Sequence, residues 1–208
     1  MKRPIALSLV LLTALALTAL AKEKERKPGL YATFDTSMGT IVIQLYEKEA
    51  PNTVANFVDL ATGKKPWRDN AGKTHQGEAF YEGITFHRVI PGFMIQAGAH
   101  LADGGYHLSA NIPDEIHPGL KHDRAGRLSM ANAGPGTGSS QFFITHAATA
   151  WLDGKHAIFG QVVEGMDVVN KIAAVPRDAQ DKPRTPIVIK KVTIDRVKEA
   201  SAEKEKKE

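Results

Sequence analysis

The chain has 208 residues, 27 Lys and Arg against 23 Asp and Glu, a formal charge of +4, and no cysteine. The missing cysteines exclude disulfide staples, thiolate metal ligands, iron–sulfur clusters and thiol catalysis. A charge of +4 is too diffuse to mark a nucleic-acid partner, and 42% hydrophobic with 24% charged residues is the composition of a folded globular chain.

Lys2 and Arg3 precede an uncharged apolar run from Ile5 to Leu20, which closes on Ala19-Leu20-Ala21 before the charged stretch Lys22–Lys27. This is the pattern of a cleavable secretory signal peptide over 1–21. The run sits at or below the roughly 17–25 residues of a spanning helix, so no stable membrane insertion is expected after cleavage. A periplasmic or secreted destination follows. Residues 22–29 read as a charged linker and 30–197 as one folded domain. Residues 198–208, all Ala, Ser, Glu and Lys, read as a solvated, disordered tail.

Within the domain, Tyr31–Thr36 and Gly39–Leu45 flank a Ser37-Met38 turn and read as a hairpin, the second arm rich in β-branched residues. Pro51 opens a helix whose Val54, Phe57, Val58 and Ala61 share one face, with Gly63 as its stop. Lys64–Ala79 is polar and aperiodic, a surface excursion in which Trp67 is read as tucked onto the domain. Ile84–Ile90 and Phe93–Ala97 read as strands broken by Pro91-Gly92, and Gly98–Lys121 as irregular chain. Arg127–Ala131, Gln141–Thr145 and Ala157–Val163 read as strands, and Gly165–Ala173 as a short helix with Val168, Val169 and Ile172 on one face. Pro186–Val197 is a last alternating strand. Many short strands with two helices set apart predict a barrel or sandwich.

Several chemistries find no support. Gly134-Pro135-Gly136-Thr137-Gly138 is glycine-rich, but no Lys-Ser/Thr pair follows and no helix opens after it, so it is no phosphate loop. The eight histidines show no metal-ligand spacing, and G-x-S-x-G does not occur. No metal and no cofactor are expected.

Three segments combine apolar residues with a few polar ones: Phe86-His87-Arg88-Val89-Ile90-Pro91-Gly92-Phe93-Met94-Ile95-Gln96, Ser129-Met130-Ala131-Asn132 through Gln141-Phe142-Phe143, and Trp151-Leu152-Asp153-Gly154-Lys155-His156. Taken singly, each reads as a core strand or its flank, with Arg88 paired to a surface carboxylate. Together and in this order they resemble the cyclophilins, a family of peptidyl-prolyl cis–trans isomerases, from about Tyr31 to Val197. The resemblance implies a mainly β fold, a closed eight-stranded antiparallel β-barrel capped by two α-helices. It implies Arg88 as the catalytic residue, with Phe93, Met94 and Gln96 in the pocket. Ala131 and Asn132 would hold the substrate backbone, and Gln141 and Phe143 would line the site. Trp151, Leu152 and His156 would form the rim and floor of a proline pocket. The partners implied are proline-containing unfolded or partly folded polypeptides, with cyclosporin as a drug ligand suggested by Trp151, and a monomeric state. The pattern departs from the family at Ala97-Gly98-Ala99, where Gly-Gly-Asp is usual, which bears on the neighbouring loop. A non-catalytic proline-peptide-binding chaperone module is the alternative reading; the presence of Arg88 with the whole pocket set favours catalysis.

Overall fold

The computed structural model describes residues 26–199. The predicted signal peptide, the first half of the linker and most of the tail lie outside the described residues. The first hairpin forms as the alternation predicts, β1 (Gly29–Thr36) against β2 (Gly39–Leu45), with Leu30 opposite Leu45 and Thr36 opposite Gly39. The Thr36 hydroxyl pins its turn, donating to the Gly39 carbonyl (2.7 Å) and accepting from the Met38 amide (3.1 Å). Inward residues Ala32, Phe34, Ile41 and Ile43 are fully buried.

Helix α1 (Pro51–Ala61) starts at its proline and buries Val54, Phe57 and Leu60. Its N-cap residue, Ala50, has no side chain able to cap. A distant carboxylate substitutes: Glu115 accepts hydrogen bonds from the Asn52 amide (3.0 Å) and side chain (2.7 Å) and from the Thr53 hydroxyl (2.7 Å) and amide. Two of these donors are first-turn amides without an intrahelical partner, and such a terminus is favourable for an anion. Gly63 ends the helix with φ +72, and a Cβ there would lie 2.8 Å from the Gly77 backbone, so only glycine fits.

The polar excursion is not without structure. β3 (Trp67–Asp69) and β4 (Thr74–His75) pair with each other, and β3 also pairs with β7 (His107–Leu108), giving a small antiparallel sheet. Strands of two or three residues are too short to show alternation, which is why the sequence reads as loop. Trp67 is indeed tucked in, 6% exposed, stacked on His75 at 4.0 Å and donating its indole N–H to the Glu78 carbonyl at 2.9 Å.

The remaining elements are β5 (Arg88–Ile90), β6 (Met94–Ala97), β8 (Arg127–Met130), β9 (Phe142–Thr145), β10 (Ile158–Glu164), α2 (Met166–Ala173) and β11 (Ile189–Val197). The main sheet is antiparallel and runs β11-β1-β2-β10-β8-β9-β6-β5. It curls around a core that includes Phe34, Phe57, Phe142 and Phe159, with the apolar faces of α1 and α2 packed on it. The barrel is not fully closed by a ladder, which corrects the expectation. The outer strands meet through one bridge, Thr85 with Val188, and through hydrogen bonds such as Phe86 N–H to Ile187 O (3.0 Å) and Ile189 N–H to Ile84 O (2.8 Å). β5 covers only Arg88–Ile90 of the strand predicted over 84–90.

Candidate active site

Strand pairing builds the site. Arg88 on β5 lies opposite Gln96 on β6, Gln96 opposite Phe143 on β9, and Phe143 opposite Ser129 on β8. Directly opposed residues share a face, so these four form one row across the outside of the curled sheet. The Pro91-Gly92 turn, with Gly92 at φ +74, returns the chain so that Phe93 and Met94 stand beside the row.

A cavity of about 300 Å³ opens over this row, lined by Arg88, Phe93, Met94, Gln96, Ala131, Asn132, Phe143, Leu152 and His156. This is within the lower range of small-ligand pockets. Met94 and Phe143 are buried and make an apolar floor, while Phe93 and Leu152 are half-buried walls. His156 meets the Phe143 ring edge-on at 5.4 Å, and its Nδ1 lies 2.9 Å from the Met130 carbonyl. That contact requires Nδ1–H, which leaves Nε2 of the neutral ring as an acceptor. The Asn132 side chain donates to the Lys155 carbonyl (2.9 Å), while the Asn132 backbone N–H and C=O enter none of the loop hydrogen bonds.

Arg88 is exposed and takes part in no salt bridge among the described residues. The surface carboxylate that the core-strand reading supplies for it does not appear. No carboxylate lines the cavity. Neighbouring His87 is pushed down to about 4 by burial and by the positive charges of His100 and Arg88. It is therefore uncharged at neutral pH, and Arg88 is the one full charge at the cavity wall.

Nine of the eleven expected residues line the cavity. The other two touch it indirectly. Gln141, expected to line the site, stands behind it, because its Oε1 accepts the Gln96 Nε2–H at 2.9 Å. Trp151 is 59% exposed at the rim, 5.6 Å from the Phe93 ring. At the departing segment, Ala97 and Ala99 are buried, and a Cβ on Gly98 would lie 2.4 Å from the Ser140 carbonyl oxygen. The strand end is thus pressed against the 140–141 backbone, and the loop beyond folds back through the Leu101 N–H to Gly105 O bond (2.8 Å).

Sequence reasoning missed a brace beneath the cavity. His122 is fully buried; its backbone N–H and its Nδ1 lie 2.8 and 2.9 Å from Asp153 Oδ1, and its Nε2 lies 3.0 Å from Ser129 Oγ. Its ring stacks behind Phe143 at 6.0 Å, and its carbonyl accepts the Thr149 amide at 2.7 Å. Burial lowers its proton affinity more than Asp153 restores it; the Asp153 carboxylate can only accept, so Nδ1 carries a proton, and the Ser129 Oγ that faces Nε2 also lies 3.2 Å from the Ala157 carbonyl. Flanked by Lys121 and Asp123, His122 looks like a surface residue; only Asp153, inside a recognised motif, hinted at it.

The cavity thus offers an apolar floor sized for a small ring, free backbone groups for an extended chain, and one unpaired guanidinium. Its lining holds no Ser, Thr, Cys or carboxylate. Such a site suits holding a peptide and polarising an amide rather than cleaving it.

Comparison with known proteins agrees. The family model described as cyclophilin type peptidyl-prolyl cis-trans isomerase/CLD matches residues 31–194. A peptidyl-prolyl cis-trans isomerase B of Streptomyces anulatus is 46% identical over 169 residues, spanning 80% of this chain and 97% of that one. Peptidyl-prolyl cis-trans isomerase A of Mycobacterium tuberculosis is 45% identical over 165 residues, 78% of this chain and 91% of its own. A crystal structure of a Cryptosporidium parvum cyclophilin type peptidyl-prolyl cis-trans isomerase in the presence of the dipeptide Ala-Pro superposes with TM-score 0.66 at 30% identity, covering 80% of this chain and 99% of that one.

Proposed function

The chain belongs to the cyclophilin-type peptidyl-prolyl cis–trans isomerases and has that activity, and from this we propose how its cavity performs the rotation. Partial double-bond character gives the peptide bond a barrier near 18–20 kcal/mol. X–Pro is the linkage whose cis and trans forms differ by only about 0.5–1 kcal/mol, so one catalyst serves both directions. No covalent bond breaks. The catalyst has to favour the twisted amide, in which the prolyl nitrogen regains its lone pair and becomes an acceptor.

Arg88 is the group that donates to that nitrogen. A guanidinium keeps its charge at all working pH and presents N–H donors in a rigid plane. Phe93, Met94, Phe143 and Leu152 grip the proline ring, while the Asn132 backbone and Gln96 hold the flanking chain. With both ends restrained, the remaining freedom is rotation about one bond, and the donor strengthens as the lone pair appears. That is stabilisation of the transition state over the ground state. The observation that carries this reading is the unpaired Arg88 on the wall of an apolar cavity with no carboxylate in its lining.

Steady-state isomerisation of a short X–Pro peptide by single variants tests the assignment. Phe93→Ala or Phe143→Ala should weaken binding and turnover together. Arg88→Ala should lower turnover while leaving peptide affinity within a few-fold. An Arg88→Ala protein that isomerises at the parent rate overturns the assignment.

The substrates we propose are proline-containing, unfolded or partly folded chains outside the cytoplasm, acted on by a monomer. The basic start, apolar run and Ala19-Leu20-Ala21 ending of the N-terminus support export. Uncatalysed prolyl isomerisation takes tens to hundreds of seconds, slow enough to limit folding there. N-terminal sequencing of the exported protein should read from Lys22; a retained Met1 overturns export. The exposed Trp151 supports cyclosporin binding, which inhibition of the parent but not of Trp151→Ala would demonstrate.

A further inference from the structure

We propose that His146 is a proton-sensitive positioning residue that holds the Phe93 wall of the cavity through the Pro91-Gly92 turn. The proposal rests on Phe93 being a wall of the proline slot, as read above.

His146 follows the last residue of β9 and meets the β5–β6 turn at two points. Its backbone N–H donates to the Phe93 carbonyl at 2.8 Å, and its Nδ1 lies 2.9 Å from the Gly92 backbone nitrogen. An amide N–H can only donate, so Nδ1 accepts and the ring proton sits on Nε2. Gly92 has φ +74, and nothing lies within 4 Å of where its Cβ would be. The turn therefore has no packing of its own on that side. Its anchorage is the Phe93 N–H to Ile90 O bond at 3.0 Å and the bracket from His146.

Protonation inverts the second contact. The imidazolium carries N–H on both nitrogens, so a donor then faces the Gly92 donor and the bond is lost. The turn brings no titratable side chain against the ring, since it consists of Pro91, Gly92 and Phe93. Thr145, Ala147 and Ala148 beside it in sequence are uncharged, and no salt bridge among the described residues includes His146. The segment before β8 packs beside Thr145, which donates its hydroxyl to the Arg124 carbonyl at 2.9 Å; the charged groups it brings are Asp123, Arg124 and Arg127, and the Asp123 carboxylate is engaged by the two arginines rather than by His146. The consequence reaches the cavity directly, because Phe93 is the next residue after Gly92 and its ring is half-buried, 5.6 Å from the exposed Trp151 ring.

The test compares the parent with His146→Asn and His146→Ala between about pH 8 and about pH 5, the interval over which histidines change charge. Asparagine places Oδ1 where Nδ1 stood and keeps an acceptor that does not titrate. The parent kcat/KM should fall roughly three- to tenfold more than that of His146→Asn across this interval, the scale of one modest hydrogen bond. His146→Ala should be reduced by a similar factor already at about pH 8. The Gly92 amide resonance, followed by NMR, should move with pH in the parent and stay fixed in His146→Asn. Superimposable pH profiles for parent and His146→Asn, or a Gly92 amide that does not respond, overturn the proposal. A Phe93→Ala arm separates the two readings: full activity there overturns Phe93 as a slot wall, while the Gly92 resonance still reports on the His146 bracket.

Discussion

Removing the carboxylate of Asp153 should cost both stability and substrate affinity, because this one side chain ties the cavity wall to the sheet. Asp153 Oδ1 accepts from the His122 backbone N–H at 2.8 Å and from Nδ1 at 2.9 Å, and His122 is fully buried. Asp153→Ala strands two donors. Each buried, unsatisfied donor costs about 1–3 kcal/mol. The Asp153 side chain is 25% exposed, so water reaches part of the vacated space and the lower end of that range applies. A total of about 2–3 kcal/mol follows. For a domain of about 150–250 residues, 1 kcal/mol moves Tm by about 2–4 °C, so calorimetry should find a drop of about 5–10 °C. The same brace carries Leu152 and His156 and backs Phe143, so KM for an X–Pro peptide should rise more than kcat falls. Asp153→Asn, which keeps one acceptor oxygen, should recover much of the stability. A Tm within about 1 °C of the parent refutes the brace. A clear loss of stability with unchanged kinetics refutes its connection to the cavity.

His87 predicts an acid-sensitive fold. Burial, aided by the positive charges of His100 and Arg88, lowers it from 6.5 in the unfolded chain to about 4 in the folded one. The unfolded state therefore binds the proton first, so stability is complete above about pH 6.5 and declines as the pH falls towards 4, by about 2 kcal/mol at about pH 5. Burial also lowers His107 and His122, which act in the same direction. Urea midpoints at about pH 7 and about pH 5 should differ accordingly, with His87→Gln narrowing the gap; equal midpoints in the parent contradict the reasoning. Glu115→Ala should cost about 1–2 kcal/mol by uncapping α1, read as a lower denaturant midpoint with unchanged slope. Hydrogen bonds from Thr53 and Asn52 outweigh burial and lower the Glu115 carboxyl. Its stabilisation is thus present above the ordinary glutamate range and lost as acid titrates the folded state. Gly98→Ala should fold poorly or not at all, since its Cβ would lie 2.4 Å from a backbone oxygen at φ +108.

Elements with a period were legible in the sequence. β1, β2 and α2 fall where alternation or a helical face puts them, and the Pro91-Gly92 turn separates β5 from β6 as expected. The cavity was legible too, but through motif order; Arg88, Gln96 and Phe143 are brought into one row by strand register, which no local pattern encodes. What stayed hidden depends on partners far along the chain. Glu115 caps a helix 62 residues away, His122 is buried by a loop 31 residues later, and His146 reaches back 54 residues to Gly92. β3, β4 and β7 are too short for periodicity, and they hold together around Trp67, which packs between His75 and His107. The incomplete closure between 83–86 and 187–189 depends on how two edges far apart in the chain meet, which no local pattern in either encodes.

The central claim is that Arg88 acts on the amide while it rotates, and the exchange rate inside the complex tests it most directly. NMR exchange spectroscopy on an X–Pro peptide saturated with enzyme separates the cis–trans rate of the bound peptide from its binding and release. With Arg88→Ala that internal rate should fall by a factor on the order of 10²–10³, the effect of losing one preorganised donor. Kd should change little and thermal stability not at all, since Arg88 is exposed and makes no salt bridge among the described residues. A bound-state rate equal to that of the parent, in a folded variant that still binds peptide, contradicts the account.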